Sequence, residues 1–193
     1  MNIPTPEKCY RLQKEMGMLD NIVVHCQQVC RVALTIVSNA DGIESDMDLG
    51  LIVAAALLHD ITKTRSFKTK EDHAQTGEQF LVECGYPEVG RIVGQHVHLT
   101  DYENNGPPNA AEIINYADKR VLHDRVVSLD RRMQYIVDRY GTDSKRKKRI
   151  QSLWQQSRGL EVRIFRNIDL KADELGDHLV ENIFKYDQLK KYF

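Results

Sequence analysis

The chain has 193 residues, with 27 Lys+Arg against 28 Asp+Glu, a formal net charge of −1 and 41% hydrophobic residues. That length suits one domain, or one domain with a small appendage, and the apolar content excludes disorder over most of it. The charge balance removes any composition-level argument for nucleic acid or an anionic membrane, so an anion site must be local.

Apolar residues recur at intervals of three and four, without sustained period-two alternation, which predicts an all-α protein with no significant β-sheet. Met1 to Pro4 carry no apolar signal region, and the apolar run Leu51 to Leu58 is too short to span a bilayer. Cys9, Cys26, Cys30 and Cys84 show no Cys-x-x-Cys spacing. They are expected to be reduced thiols in a cytoplasmic protein, with Cys26 and Cys30 filling a helix face.

Thr5 followed by Pro6 starts a short helix that fades at Gly17. A second helix is expected from about Asn21 to Asn39, with Ile22, Cys26, Val29, Val32, Ala33 and Ile36 as its stripe, broken by Asp41-Gly42. The central helix runs from about Asp46 to Asp60 and is apolar on every face between Leu51 and Leu58. Ser66 to Lys70 reads as a polar loop, Asp72 opens a helix ending at Gly85, and Pro87 opens another ending near Leu99. Asn105-Gly106-Pro107-Pro108 marks a loop. One long helix is then expected from Ala110 to Tyr140, stopped by Gly141, followed by helices over Ser144 to Arg158 and Ala172 to Lys191. The expected organisation is a helical metal-binding domain over 1–140 and a C-terminal helical appendage over 141–193 packed on it.

The chemistry lies in polar residues on apolar stripes. His25 shares a face with Ile22, Val29, Val32 and Ile36; His73 with Gly77, Phe80 and Cys84; His96 with Val89, Ile92 and Val93; Asp118 with Ala111, Ile114, Val121 and Leu122. The central helix adds His59 and Asp60 at its buried end. A single inward His or Asp is commonly a hydrogen-bonded core residue. Six of them, with no inward Arg or Lys to pair them, point to a divalent cation as counter-charge. Imidazole and carboxylate together suit Mn, Fe, Co, Ni or Zn. His98 lies off the stripe and is expected outside the ligand set. There is no Gly-rich phosphate loop and no Gly-x-Ser-x-Gly elbow.

The ordered set His25, His59-Asp60, Asp118 resembles the HD superfamily of metal-dependent phosphohydrolases, over about Asn21 to Leu129. His73 and His96 sit where its binuclear branch has two further histidines. Lys63 matches that branch's His-Asp-x-x-Lys form, although Thr62 stands where the branch usually has Gly. The resemblance implies an all-α fold and one or two divalent ions. His25, His59, Asp60 and Asp118 would hold the first, and His73, His96 and a bridging Asp60 the second. It also implies a water-mediated attack on a small phosphate substrate, a nucleotide foremost, with Asp60, Lys63 and Asp118 in catalytic positions and dinucleoside polyphosphates as the first to test. Arg65, Arg120, His123 and Arg125 are weaker substrate candidates. The basic run Lys145 to Arg149 lacks interleaved aromatics and reads as a solvated helix face, which argues against nucleic acid. A metal-containing nucleotide sensor without turnover is the alternative, and the oligomeric state stays open, a homodimer included.

Overall fold

The computed structural model describes residues 1–40, 47–100, 102 and 106–181. Thr5 caps α1 (Pro6–Glu15) by accepting from the Lys8 amide, Pro6 occupies the first turn where its missing N–H costs nothing, and Gly17 turns the chain at φ +59°. α2 (Asp20–Ser38) buries Ile22, Cys26, Val29, Val32, Ala33 and Ile36 along one face. Asp48 opens α3 (Leu49–Leu58), accepting from the amides of Gly50 and Leu51. Ala54, Ala55 and Ala56 keep α3 thin enough for α1 and α2 to pack against it, and Ile52, Leu57 and Leu58 fill the space between.

α3 ends at Leu58, short of the expected Asp60. Its Leu57 carbonyl is taken by the side-chain amide of Gln13 from α1, at 2.6 Å, so the chain leaves the helix through a tight turn over His59 to Thr62. That turn leads straight into α4 (Lys63–Thr69), where a polar loop was expected. The Asp60–Lys63 turn is already hydrogen-bonded, so helix nucleation has been met before Lys63. Asp72 caps α5 (His73–Glu83) as expected. Pro87 opens α6 (Pro87–Val93), which stops well before Leu99. The Asn115 side chain accounts for the early stop: it donates to the carbonyls of both Gln95 and His96, at 3.0 Å each.

A capping box between Asn109 and Glu112 opens α7 (Ala110–Lys119). The single helix expected over Ala110 to Tyr140 is instead two helices separated by a hairpin. β1 (Val121–Leu122) pairs antiparallel with β2 (Arg125–Val126) across a turn in which His123 takes φ +58°. No Gly or Pro announces this break. It comes from β-branched Val121, Val126 and Val127, from the Val127 amide bonded to the Arg120 carbonyl, and from Ser128, which caps α8 (Leu129–Tyr140).

α9 (Ser144–Ile164) is capped by Asp143 and runs past the expected Arg158 into a 3-10 turn over Phe165–Asn167. It packs on α7 and α8, and its Leu160 and Ile164 join the main apolar core. Residues 172–177 form turns and 178–181 are irregular, rather than the expected helix, and the remainder of that segment lies outside the described residues, as does the Asp41-Gly42 break. No helix among the described residues is long and apolar enough to cross a membrane, and all four cysteines are free thiols.

α5 and α6 approach closely at Gly90. A Cβ there would stand 2.9 Å from the Glu78 carbonyl and 3.3 Å from Val82. Gly90→Ala sets a propensity gain of about 1 kcal/mol against overpacking of about 1–3 kcal/mol against backbone that cannot move aside. The clash is expected to win. Urea unfolding should show a net loss of up to roughly 2 kcal/mol, where an exposed Gly→Ala on a helix would show a gain.

Candidate metal centre

Six side chains from five parts of the chain converge at the end of α3. His59 and Asp60 stand in the turn after α3 and His96 in the turn after α6, while His25 lies within α2, His73 opens α5 and Asp118 ends α7. His59 and Asp60 are fully buried and His96 is 1% exposed. The two oxygens of Asp60 face two groups. Oδ2 lies 3.4 Å from His59 Nε2 and 4.0 Å from His25 Nε2. Oδ1 lies 3.3 Å from His73 Nε2 and 3.5 Å from His96 Nε2. Asp118 Oδ1 completes the first group, 3.0 Å from His25 and 3.9 Å from His59.

Three of the imidazoles have their proton positions fixed by backbone. Nδ1 of His25 bonds the His123 carbonyl at 2.9 Å, that of His59 the Ala56 carbonyl at 2.8 Å, and that of His96 the Val93 carbonyl at 2.7 Å. A carbonyl only accepts, so each Nδ1 carries the hydrogen and each neutral ring turns a bare Nε2 lone pair into the cluster. Lone pairs facing carboxylate oxygens in a buried space repel unless positive charge stands between them. His59 Nε2 and Asp60 Oδ1 are buried with no hydrogen-bond partner among the described residues. The separations suit a metal: ligands held at about 2.1 Å around one ion lie about 3.0–3.4 Å apart. Three-donor groups arise from His25, His59 and Asp118, and from Asp60, His73 and His96. The clustered residues therefore fit a divalent cation.

The electrostatics agree. Burial pushes the Asp60 carboxyl up, but the Lys63 ammonium and His59 outweigh it and hold Asp60 well below the usual carboxylate range. Asp118 is likewise driven up by burial and brought well below by its bond to His25 and by Arg132. Burial takes His96 down to about 4, so its ring is neutral and its lone pair free at neutral pH. Burial opposes a charge on His59 too, yet Cys26 and Asp60 raise its proton affinity well above the ordinary imidazole. That is the same demand for a cation expressed toward a proton.

Lys63 lies inside the cluster, its Nζ 2.6 Å from Asp60 Oδ2. Four contributors carried no sequence signal. Arg132 of α8 brings its guanidinium within 3.7 Å of Asp118. The His123 backbone carbonyl orients His25, and Asn115 and Lys119 hold the turn carrying His96, Lys119 Nζ donating to the His96 carbonyl at 3.3 Å. Cys26, read from sequence as helix filling, forms a further three-donor group with His59 and Asp60. Of the weaker candidates, His123 lines the cleft beside His25 and Asp60, and the other three fall elsewhere. Arg65 is exposed and pairs with Glu71, Arg120 is buried in a network with Tyr116 and Glu161, and Arg125 is exposed on β2. His98 meets Arg149 at 2.9 Å, at the end of the exposed Lys145 to Arg149 face.

An all-α bundle with a buried His/Asp cluster at the junction of its helices defines a helical domain whose donor set suits a divalent cation. The HD domain family model matches residues 22–123, more than half of the chain, and the chain belongs to the HD domain family. It is also similar to the tRNA (cytidine(56)-2'-O)-methyltransferase of Picrophilus torridus, 29% identical over 147 residues, which is 72% of this chain and 41% of that protein. The chain thus spans less than half the length of that relative. No solved structure matches it.

Asp60→Asn keeps the shape of the side chain but removes the charge that faces four imidazoles. The folded variant should lose the rise in Tm that divalent metal gives the wild type, a rise the wild type should surrender to a chelator. A metal-dependent Tm shift of full size in Asp60→Asn would mean that the cluster does not hold the ion.

Proposed function

We propose that this HD domain protein hydrolyses a phosphate ester or anhydride of a nucleotide or another small phosphate compound. The observation that carries the reading is the set of Nε2 lone pairs and two carboxylates turned toward one another in a buried space. In this reading His25, His59, Asp60 and Asp118 would hold one ion, and His73, His96 and Asp60 would hold another. A carboxylate has lone pairs enough on its two oxygens to serve both. Divalent ions held by these residues would supply an activated water at neutral pH and positive charge for the phosphoryl oxygens.

The chain's own residues do the rest. Asp118, which faces the larger of two clefts at the cluster, orients the attacking water. Lys63 and Arg132 stand beside the cluster with positive charge for the phosphoryl oxygens, in a pocket where such charge acts more strongly than in bulk water. A second reading, an RNA substrate or ligand, draws on the name of the Picrophilus relative and on the exposed basic run of α9. Salt-dependent tRNA binding that is lost when Lys145 to Arg149 are neutralised would favour it.

Phosphate release from a panel of small phosphate compounds, with Mn, Fe, Co, Ni or Zn supplied in turn, tests the main reading. No release from any pairing counts against it. Lys63→Ala should leave metal content unchanged, since an ammonium is not a ligand, and should lower kcat/KM by about 10-fold or more. Unaltered kcat/KM would remove Lys63 from the chemistry. His73→Ala and His96→Ala should each lower the metal content from about two ions per chain to about one, and the double variant should lose no more than either alone. Elemental analysis giving one ion in the metal-replete wild type would leave a mononuclear enzyme.

A further inference from the structure

Two clefts reach the His/Asp cluster. A smaller one of about 170 Å³ opens over His25 and Asp60, and a larger one of about 380 Å³ over His73, His96 and Asp118. They share Lys63, Phe67, Arg132 and Tyr140, which form a common mouth. The floor of the larger cleft is apolar, built by Met133 and Ile136 of α8 and Ile150 and Leu153 of α9. Both helices lie outside the residues that the HD domain model matches, so this wall belongs to the chain and not to the matched domain.

We propose that the cleft between α8 and α9 receives the base of a nucleoside 5'-phosphate, with Arg132 holding the phosphate beside the cluster; this rests on the phosphohydrolase reading above. Phe67 and Tyr140 are 53% and 54% exposed at the mouth, where their ring faces are open to a flat partner. Arg132 is mostly buried, its Nε has no hydrogen-bond partner among the described residues, and it lies 5.9 Å from the Tyr135 ring. A planar guanidinium with spare donors, set between a carboxylate and an aromatic face, suits a phosphate oxygen pair.

The alternatives fit the cleft less well. Inorganic pyrophosphate would use the cations and leave the apolar floor against water. A sugar phosphate would press hydroxyls onto Met133, Ile136, Ile150 and Leu153 without hydrogen-bond partners. A base offers apolar faces to that floor and to the aromatic mouth, and the volume is that of a small-ligand pocket.

The test uses the full chain loaded with its activating metal. kcat/KM is measured for the four common ribonucleoside 5'-monophosphates and 5'-triphosphates, for ribose 5-phosphate and for pyrophosphate. Calorimetry follows binding of the same monophosphates. At least one nucleotide should exceed ribose 5-phosphate by about 10-fold or more, and Leu153→Trp, which fills the half-buried floor, should reduce that ratio by about 10-fold. Ile136→Asn, which leaves the volume but adds an amide to the floor, should act in the same direction, and circular dichroism establishes that both variants fold. Ribose 5-phosphate or pyrophosphate turned over as well as every nucleotide, with both variants silent, overturns the pocket and leaves the phosphohydrolase reading in place. Nucleotide binding that Leu153→Trp abolishes, with no phosphate released from any compound, upholds the pocket and overturns that reading. Neither binding nor turnover of any nucleotide overturns the pocket.

Discussion

A buried carboxylate facing four imidazoles is the constraint on which the rest depends. Asp60 sits in the turn after α3, the most apolar helix among the described residues, fully removed from water, with His25, His59, His73 and His96 around its two oxygens. Such a group is tolerable only where positive charge is supplied. The surrounding structure is arranged to supply it from fixed directions. Three backbone carbonyls fix the rings of His25, His59 and His96, and Asn115 and Lys119 hold the turn that carries His96. The packing of α1, α2, α6 and α7 around α3 brings these donors together and also excludes the water that would otherwise screen them.

Much of this was legible in the sequence, because a polar residue on an apolar stripe betrays itself by periodicity. His25 in α2 and His73 at the start of α5 followed from spacing and from the Asp72 cap. Thr5-Pro6 and Pro87 marked helix starts by local chemistry that needs no tertiary partner. What the sequence concealed was where helices stop when a distant residue stops them. Gln13 takes the carbonyl of Leu57, and Asn115 takes those of Gln95 and His96, so α3 and α6 end early and His59, Asp60 and His96 project from turns. Those bonds span 44, 20 and 19 residues, beyond the reach of any local pattern.

The hairpin between α7 and α8 was concealed for another reason. Val121 to Val127 carries neither Gly nor Pro, and its apolar residues also satisfy a helical period. Once the chain reverses there, α8 returns along α7 and places Arg132 beside Asp118. As sequence, Arg132 is one of several arginines on a polar helix face. Its role in the site is a product of topology, as is that of the His123 carbonyl.

The contact between Lys63 and Asp60 has a consequence for how the protein comes into being. The ammonium places a charge from the chain's own sequence against the carboxylate that burial most disfavours. A site whose charge is partly balanced from within need not await a metal before the core closes over it, in contrast to small domains that stay unfolded until loaded. An ion taken up after folding would then meet a finished cavity with set donors and set distances.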